Sequence, residues 1–238
     1  MKLKPIYLLL SLVLLIAFST NAIEVNAMNT GFSTEELSEE TKTTFVSSIN
    51  VSPLSAEPEK KGVLCFDVNE QGMIAVGQND SKGKEICVYT SQGEFLYGYT
   101  FNCTQSFGVE WDEQHINIYF VRSDVIISLD SDGNILDIKS VQDTIDNNSY
   151  RNLLLYSSNR TIDNTTYLVR NDMGIFNWFA STFSQIVTID ATGTESIIYD
   201  VNSMQLKKMI VTVSLICVFV FVAIAVVVWQ FIKFRRGN

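Results

Sequence analysis

Phe66-Asp-Val-Asn-Glu-Gln-Gly-Met73 decides how this chain is read, because Val109-Glu-Trp-Asp-Glu-Gln-His-Ile116 lines up with it at an offset of 43. Downstream, Ile86-Cys-Val-Tyr-Thr-Ser-Gln-Gly93 lines up with Ile126-Ile-Ser-Leu-Asp-Ser-Asp-Gly133 at an offset of 40, and Ile186-Val-Thr-Ile-Asp-Ala-Thr-Gly193 follows 60 further on. Self-similarity of this kind marks a supersecondary unit copied along the chain. Around these segments run VLCFDV (63–68), MIAVG (73–77), EICVYT (85–90) and EFLYGYTF (94–101), separated by NEQG, QNDSKGK and SQG. Short β-branched and aromatic runs joined by Gly-bearing turns read as antiparallel hairpins. No 3.6-residue period of useful length precedes the C-terminal apolar segment, so the body is predicted to be all-β. Each unit has the order strand, turn, strand, longer turn, strand, x-x-Gly turn, strand. The units fall at about 62–102, 107–141 and 150–201, the third with extra length around 143–165 and 172–183.

These units resemble the four-stranded blades of β-propellers, particularly the six-bladed kind exemplified by NHL repeats. There the third strand ends in an Asp-x-x-Gly turn, matched here by Asp130-Ser-Asp-Gly133 and Asp190-Ala-Thr-Gly193, with Thr90 replacing the Asp in the first unit. The resemblance covers about 140 of 238 residues and implies propeller-like four-stranded antiparallel units. Closed propellers use four to eight blades, so three cannot close a ring alone. The units either complete a ring between chains, form an open arc with covered edges, or belong to another all-β fold such as a sandwich.

The ends place the body. Residues 209–232, MIVTVSLICVFVFVAIAVVVWQFI, carry no formal charge, Pro or Gly. A helix of that length spans roughly 36 Å, enough to cross a hydrocarbon core of about 30 Å. Lys2 and Lys4, an apolar run from Ile6 to Phe18 and small polar residues after it have the layout of a signal peptide over 1–27. The tail 233–238 holds Lys233, Arg235 and Arg236, and Trp229 and Phe234 bracket the end of the span as an aromatic belt. The prediction is a type I single-pass membrane protein with the body, 62–206, outside the cytoplasm. Residues 28–61, rich in Ser, Thr, Glu, Lys and Pro, read as a mobile acidic linker with one β-leaning piece, TFVSSINV (44–51).

Between residues 28 and 206 stand ten basic and 25 acidic residues, a net of −15. That balance argues against a nucleic-acid partner, which demands basic surface. Cys65, Cys87 and Cys103 form an odd set, so one bridge at most could close. Asn-x-Ser/Thr occurs at Asn50, Asn79, Asn102, Asn147, Asn159 and Asn164, each a glycan acceptor in a eukaryotic secretory pathway.

No catalytic residue, cofactor site or metal site is predicted. Asp130-Ser-Asp-Gly133 imitates an EF-hand centre, but in that register the closing position is Lys139 where calcium needs a bidentate Glu. His115, the only His, aligns with Gly72 at a turn and has no nucleophile tied to it. Glu110, Asp112 and Glu113 flank Trp111 as carboxylates do beside a glycan platform, yet strand alternation turns Trp111 away from Glu110 and Asp112, toward the core. The sharper feature is Met173-Gly-Ile-Phe-Asn-Trp-Phe-Ala-Ser-Thr-Phe183, where a polar turn is due. Phe176, Trp178, Phe179 and Phe183 there are either an interaction surface or a cap over the gap of the missing blades. The function expected is a non-catalytic module or complex subunit that binds a protein partner or itself. A surface hydrolase acting on glycans or peptides is the alternative.

Overall fold

The computed structural model describes residues 28–80 and 83–236, so the signal peptide expected over 1–27 lies outside the described residues. The described chain opens with strand β1 (Thr34–Glu36), helix α1 (Glu39–Ile49) and strand β2 (Ser52–Pro53). The first unit follows as β3 (Val63–Val68), β4 (Ile74–Asn79), β5 (Lys84–Tyr89) and β6 (Phe95–Phe101). The second is β7 (Phe107–Asp112), β8 (His115–Phe120), β9 (Val125–Leu129) and β10 (Ile135–Val141). Helix α2 (Ile145–Tyr156) leads into the third, β11 (Asn159–Ile162), β12 (Thr165–Arg170), β13 (Gln185–Ile189) and β14 (Glu195–Asp200). A 3-10 helix, Gly174–Phe179, sits between β12 and β13, and helix α3 (Asn202–Arg236) ends the described chain. The result is three antiparallel sheets, none closed, plus one C-terminal helix long and apolar enough to cross a membrane.

The three x-x-Gly turns share one geometry. Asp130 Oδ1 accepts from the N–H groups of Asp132 and Asn134, and Asp190 Oδ1 accepts from those of Thr192 and Thr194. In the first unit Thr90 Oγ1 takes the same two positions, accepting from Gln92 and Glu94. Gly93, Gly133 and Gly193 close the turns at φ of 83°, 85° and 81°, a region that strains any side chain. The departure at Thr90 is therefore chemical rather than structural. The earlier turn does differ. Val68 pairs with Ile74, whereas Trp111 pairs with Ile116, so the second unit's turn is one residue shorter and Ile116 corresponds to Ile74 rather than to Met73.

Packing stacks the sheets around the first unit. One face, with Cys65, Ala75, Ile86 and Val88, packs on Val109, Ile116, Ile118 and Ile127 of the second unit. The other, with Phe66, Ile74, Val76, Cys87 and Tyr89, packs on Tyr167, Val169, Ile186 and Tyr199 of the third. Cys65 and Cys87 thus lie on opposite faces of one sheet and stay free thiols, both pushed up to about 12 by burial. The far face of the second unit is covered by Met28, Phe32 and Leu154 around Tyr119 and Ile126.

Two expectations are corrected here. The stretch read as a mobile linker contributes β1, which pairs with β10, and β2, which pairs with β6, so two sheet edges are occupied. The piece 44–51, read as β-leaning, lies mostly in α1. Ser38 Oγ accepts from the Thr41 N–H, Glu39 and Glu40 sit in the first turn, and Asn50 takes the left-handed conformation at the C-cap. Phe45, Val46 and Ile49 then share the face that packs on the first core cluster. The body is accordingly mostly β, with α1 and α2 added rather than purely β strands.

Asn147 shows what α2 does. It is 1% exposed, so this sequon is closed to a glycan, unlike the exposed Asn50, Asn102, Asn159 and Asn164. Its Oδ1 accepts from the Ser33 N–H at 2.8 Å, and its Nδ2 donates to the Ser33 and Gln142 carbonyls at 2.9 and 2.7 Å. Replacing Asn147 with Ala leaves those backbone groups buried and unpaired. We expect a loss of about 2 kcal/mol, read as a lower urea midpoint for the detergent-solubilised chain with an unchanged slope.

Candidate functional site

In a four-stranded meander the first and third turns lie at one end of the sheet and the second turn at the other. At the first-turn end, the repeated stretches that open the sequence meet. Asp67, Val68, Asn69, Glu70 and Gln71 of the first unit face Trp111, Asp112, Glu113 and Gln114 of the second across a cleft of about 590 Å³. Asn29 and Ile162, the latter from the third unit, complete its wall. α3 leaves from the opposite end, where β14 finishes.

The floor is held by a charged pair between units. Asp67 accepts from the Trp111 N–H and from Arg160 Nε of β11, each at 2.8 Å, while Trp111 Nε1 donates to the Asp67 carbonyl at 3.3 Å. Burial pushes the Asp67 carboxyl above its ordinary value although Trp111 and Arg160 pull it down. Glu110 is also buried and also pushed up by desolvation, against hydrogen bonds from Thr30, Tyr150 and Asn117. Tyr150 O–H reaches Glu110 Oε2 at 2.5 Å, and Asp112 Oδ2 accepts from the Asn29 N–H at 2.7 Å. Glu110 and Asp112 therefore share one face and hold the N-terminal segment and α2, and Trp111 turns the other way, onto the first core cluster. Their oxygens are engaged in structure.

What remains open is the rim. Glu70 and Glu113 are exposed, Glu113 at a left-handed φ of 54° that carries its side chain on the tight turn into β8. Asn69 is 5% exposed, and its Oδ1 accepts from the Gln71 and Met73 N–H groups while its Nδ2 has no partner. A buried amide donor left unpaired is costly, and this one lines the cleft. The arrangement can take a cationic group at the rim, where Glu70 and Glu113 are exposed.

The residues singled out in the aromatic stretch separate. Phe183 exchanges two backbone hydrogen bonds with Val63 and packs on the second core cluster. Phe176 is half-buried, whereas Trp178 and Phe179 are 91% and 71% exposed. Phe183 is thus tied to the first unit's edge strand, and Trp178 and Phe179 stand out from the body. His115 opens β8, half-buried and paired in register with Asp112. Asp130 is occupied by its own turn. Partial burial alone would raise it, but hydrogen bonds from Asn134 and Asp132 outweigh that and hold its carboxyl below the usual range. Among the described residues no group of three His, Cys, Asp or Glu is placed to hold a metal ion.

The repeat is visible in the sequence, but the meeting of its two copies is not. The signal was the matching Glu-Gln at 70–71 and 113–114. Comparison with protein-family models and with curated proteins finds no match.

The Asp67–Arg160 pair carries a pH prediction. A carboxyl whose folded pKa is raised favours folding at low pH, and that contribution is lost as pH climbs from its ordinary value through the raised one. Removing Arg160 pushes Asp67 up further. We expect Arg160→Ala to cost about 3 kcal/mol near neutral pH and distinctly less in acid, where Asp67 takes a proton. Urea midpoints at the two pH values measure this, and an equal loss at both would assign Arg160 to packing instead.

Proposed function

We propose that this chain is a type I single-pass membrane protein whose body acts outside the cytoplasm as a non-catalytic binding module. The body is an open, propeller-like arc of three units, its edges occupied by β1, β2 and α2. Its ligand is a basic segment of a partner protein, taken at the cleft between the repeated turns.

One observation carries this reading. The two copies of the same turn bring Glu70, Asp112 and Glu113 around a single cleft at the end of the sheets remote from α3. With α3 in a bilayer, that end faces away from the membrane and is open to a partner. Strands of six residues set it on the order of 20 Å from the end that α3 leaves. An acidic rim steers a cationic segment by long-range attraction.

The test is binding of a nonapeptide of alternating Arg and Gly to the full chain in lipid nanodiscs. Reversing the exposed rim with Glu70→Lys and Glu113→Lys is expected to weaken binding by about tenfold. Added salt is expected to weaken the native complex and not the reversed one. Affinity indifferent to both charge reversal and salt would remove the cleft as the docking site.

A further inference from the structure

α3 grows straight out of the β-body. β14 ends at Asp200 and α3 begins at Asn202. The first turns of α3 are tied to both flanks of the aromatic stretch between β12 and β13. Asn202 Nδ2 donates to the Asp172 carbonyl at 2.6 Å, and Asn202 Oδ1 accepts from Ser184 Oγ at 2.9 Å. Gln205 Nε2 donates to Thr182 Oγ1 at 3.1 Å and to the Phe183 carbonyl at 3.4 Å. Within the stretch, Asn177 accepts from the Met173 N–H and donates to the Asn171 carbonyl, and Met173 is buried. The stretch is thus braced at its base against the root of α3.

Its tip is apolar and bare. Ile175, Trp178 and Phe179 are 78%, 91% and 71% exposed, and residues 173–183 carry no charged side chain in a body of net −15. The apolar run of α3 starts at Met209, seven residues beyond Asn202, an axial rise of about 10 Å. The 3-10 helix Gly174–Phe179 has six residues, a length of about 12 Å. Each leaflet's headgroup layer is roughly 5–7 Å thick, a span that both lengths exceed.

α3 itself lacks one component there. Its exit end carries Trp229, Phe231 and Phe234, but at its entry end the first aromatic residue is Phe219, ten residues inside the apolar run. Trp and Tyr anchor spanning helices at both interfaces. We infer that Ile175, Trp178 and Phe179 seat in the outer interfacial layer of the bilayer that α3 crosses, as a second membrane contact supplying the entry-end belt. The occupant is lipid because the loop is uncharged, sits beside the helix's own entry point, and lies at the end of the body opposite the cleft. The inference rests on α3 being the anchor and not on the cleft's ligand.

Tryptophan quenching by brominated lipid separates these readings. The full chain with Trp229→Phe is reconstituted in phosphatidylcholine vesicles containing lipid brominated in the upper acyl chain. Trp178 emission is expected to fall roughly twofold with a blue shift, as for an interfacial Trp. In the Trp178→Phe, Trp229→Phe chain, which keeps only Trp111 within the body, the effect is expected to disappear. The inference is overturned if Trp229 is quenched in the Trp178→Phe chain while Trp178 is not, because the anchor is then inserted and the loop stands clear. It is equally overturned if Trp178 is shielded from aqueous acrylamide yet unquenched by bromolipid, which would place it against protein, including a second copy. If neither Trp178 nor Trp229 is quenched, the anchor reading fails and takes this inference with it.

Discussion

The structure depends on one constraint, that both faces of the first unit's sheet are buried. β4 reads Ile74-Ala75-Val76, and its side chains go alternately to the third unit, the second unit and the third again. β5 does the same with Ile86, Cys87, Val88 and Tyr89. No polar face is available to such strands, so the neighbours on either side are obligatory. A single sheet of this composition would expose more apolar surface than a soluble body tolerates. Mutual burial of three sheets, rather than closure of a ring, resolves it. The second unit repeats the pattern, since VIISL and most of HINIYF are buried, and there the second cover is Met28, Phe32 and α2.

This explains which parts of the fold were legible. A strand buried on both faces reads as a continuous apolar run, and the runs at 63–68 and 85–90 match β3 and β5 to within a residue. The third unit has one covered face, so TTYLVR alternates and stands out less. The x-x-Gly turns were legible because φ near +80° demands glycine, and Thr90 did not break the pattern because its hydroxyl accepts the same two N–H groups as the carboxylate of Asp130.

The helices were hidden for an equally physical reason. α1 reads EETKTTFVSSI, a β-branched and hydroxyl-rich sequence with weak intrinsic helicity. It folds because Ser38 and Asn50 cap its ends and the unit beneath buries Phe45, Val46 and Ile49. Lys42, Phe45, Val46 and Ile49 do fall at i, i+3, i+4 and i+7, but Lys at the first position masks the stripe. α2 is similar, with Thr144 as its N-cap and Tyr150 and Leu154 as its packed pair. Tertiary burial outweighs propensity in both. The cleft was invisible for another reason. Repetition reveals that two turns are alike, whereas only the stacking of their sheets brings Glu70 beside Glu113.

The meander also fixes which end does what. A four-stranded unit begins and ends on the same side, so β14 must deliver α3 to the end opposite its first and third turns. The turn between second and third strands lies at α3's end, and in the third unit that turn is the aromatic stretch. The first turns lie at the far end, where the cleft is. Glu70 and Glu113 therefore lie at the end remote from α3, and the uncharged aromatic tip lies at the end where α3 begins. With Asn202 and Gln205 bonded to the flanks of that stretch, the body has no flexible linker over which to swivel. The even strand number of each unit thus places the cleft and the aromatic stretch at opposite ends of the body, the aromatic stretch at the root of the apolar helix.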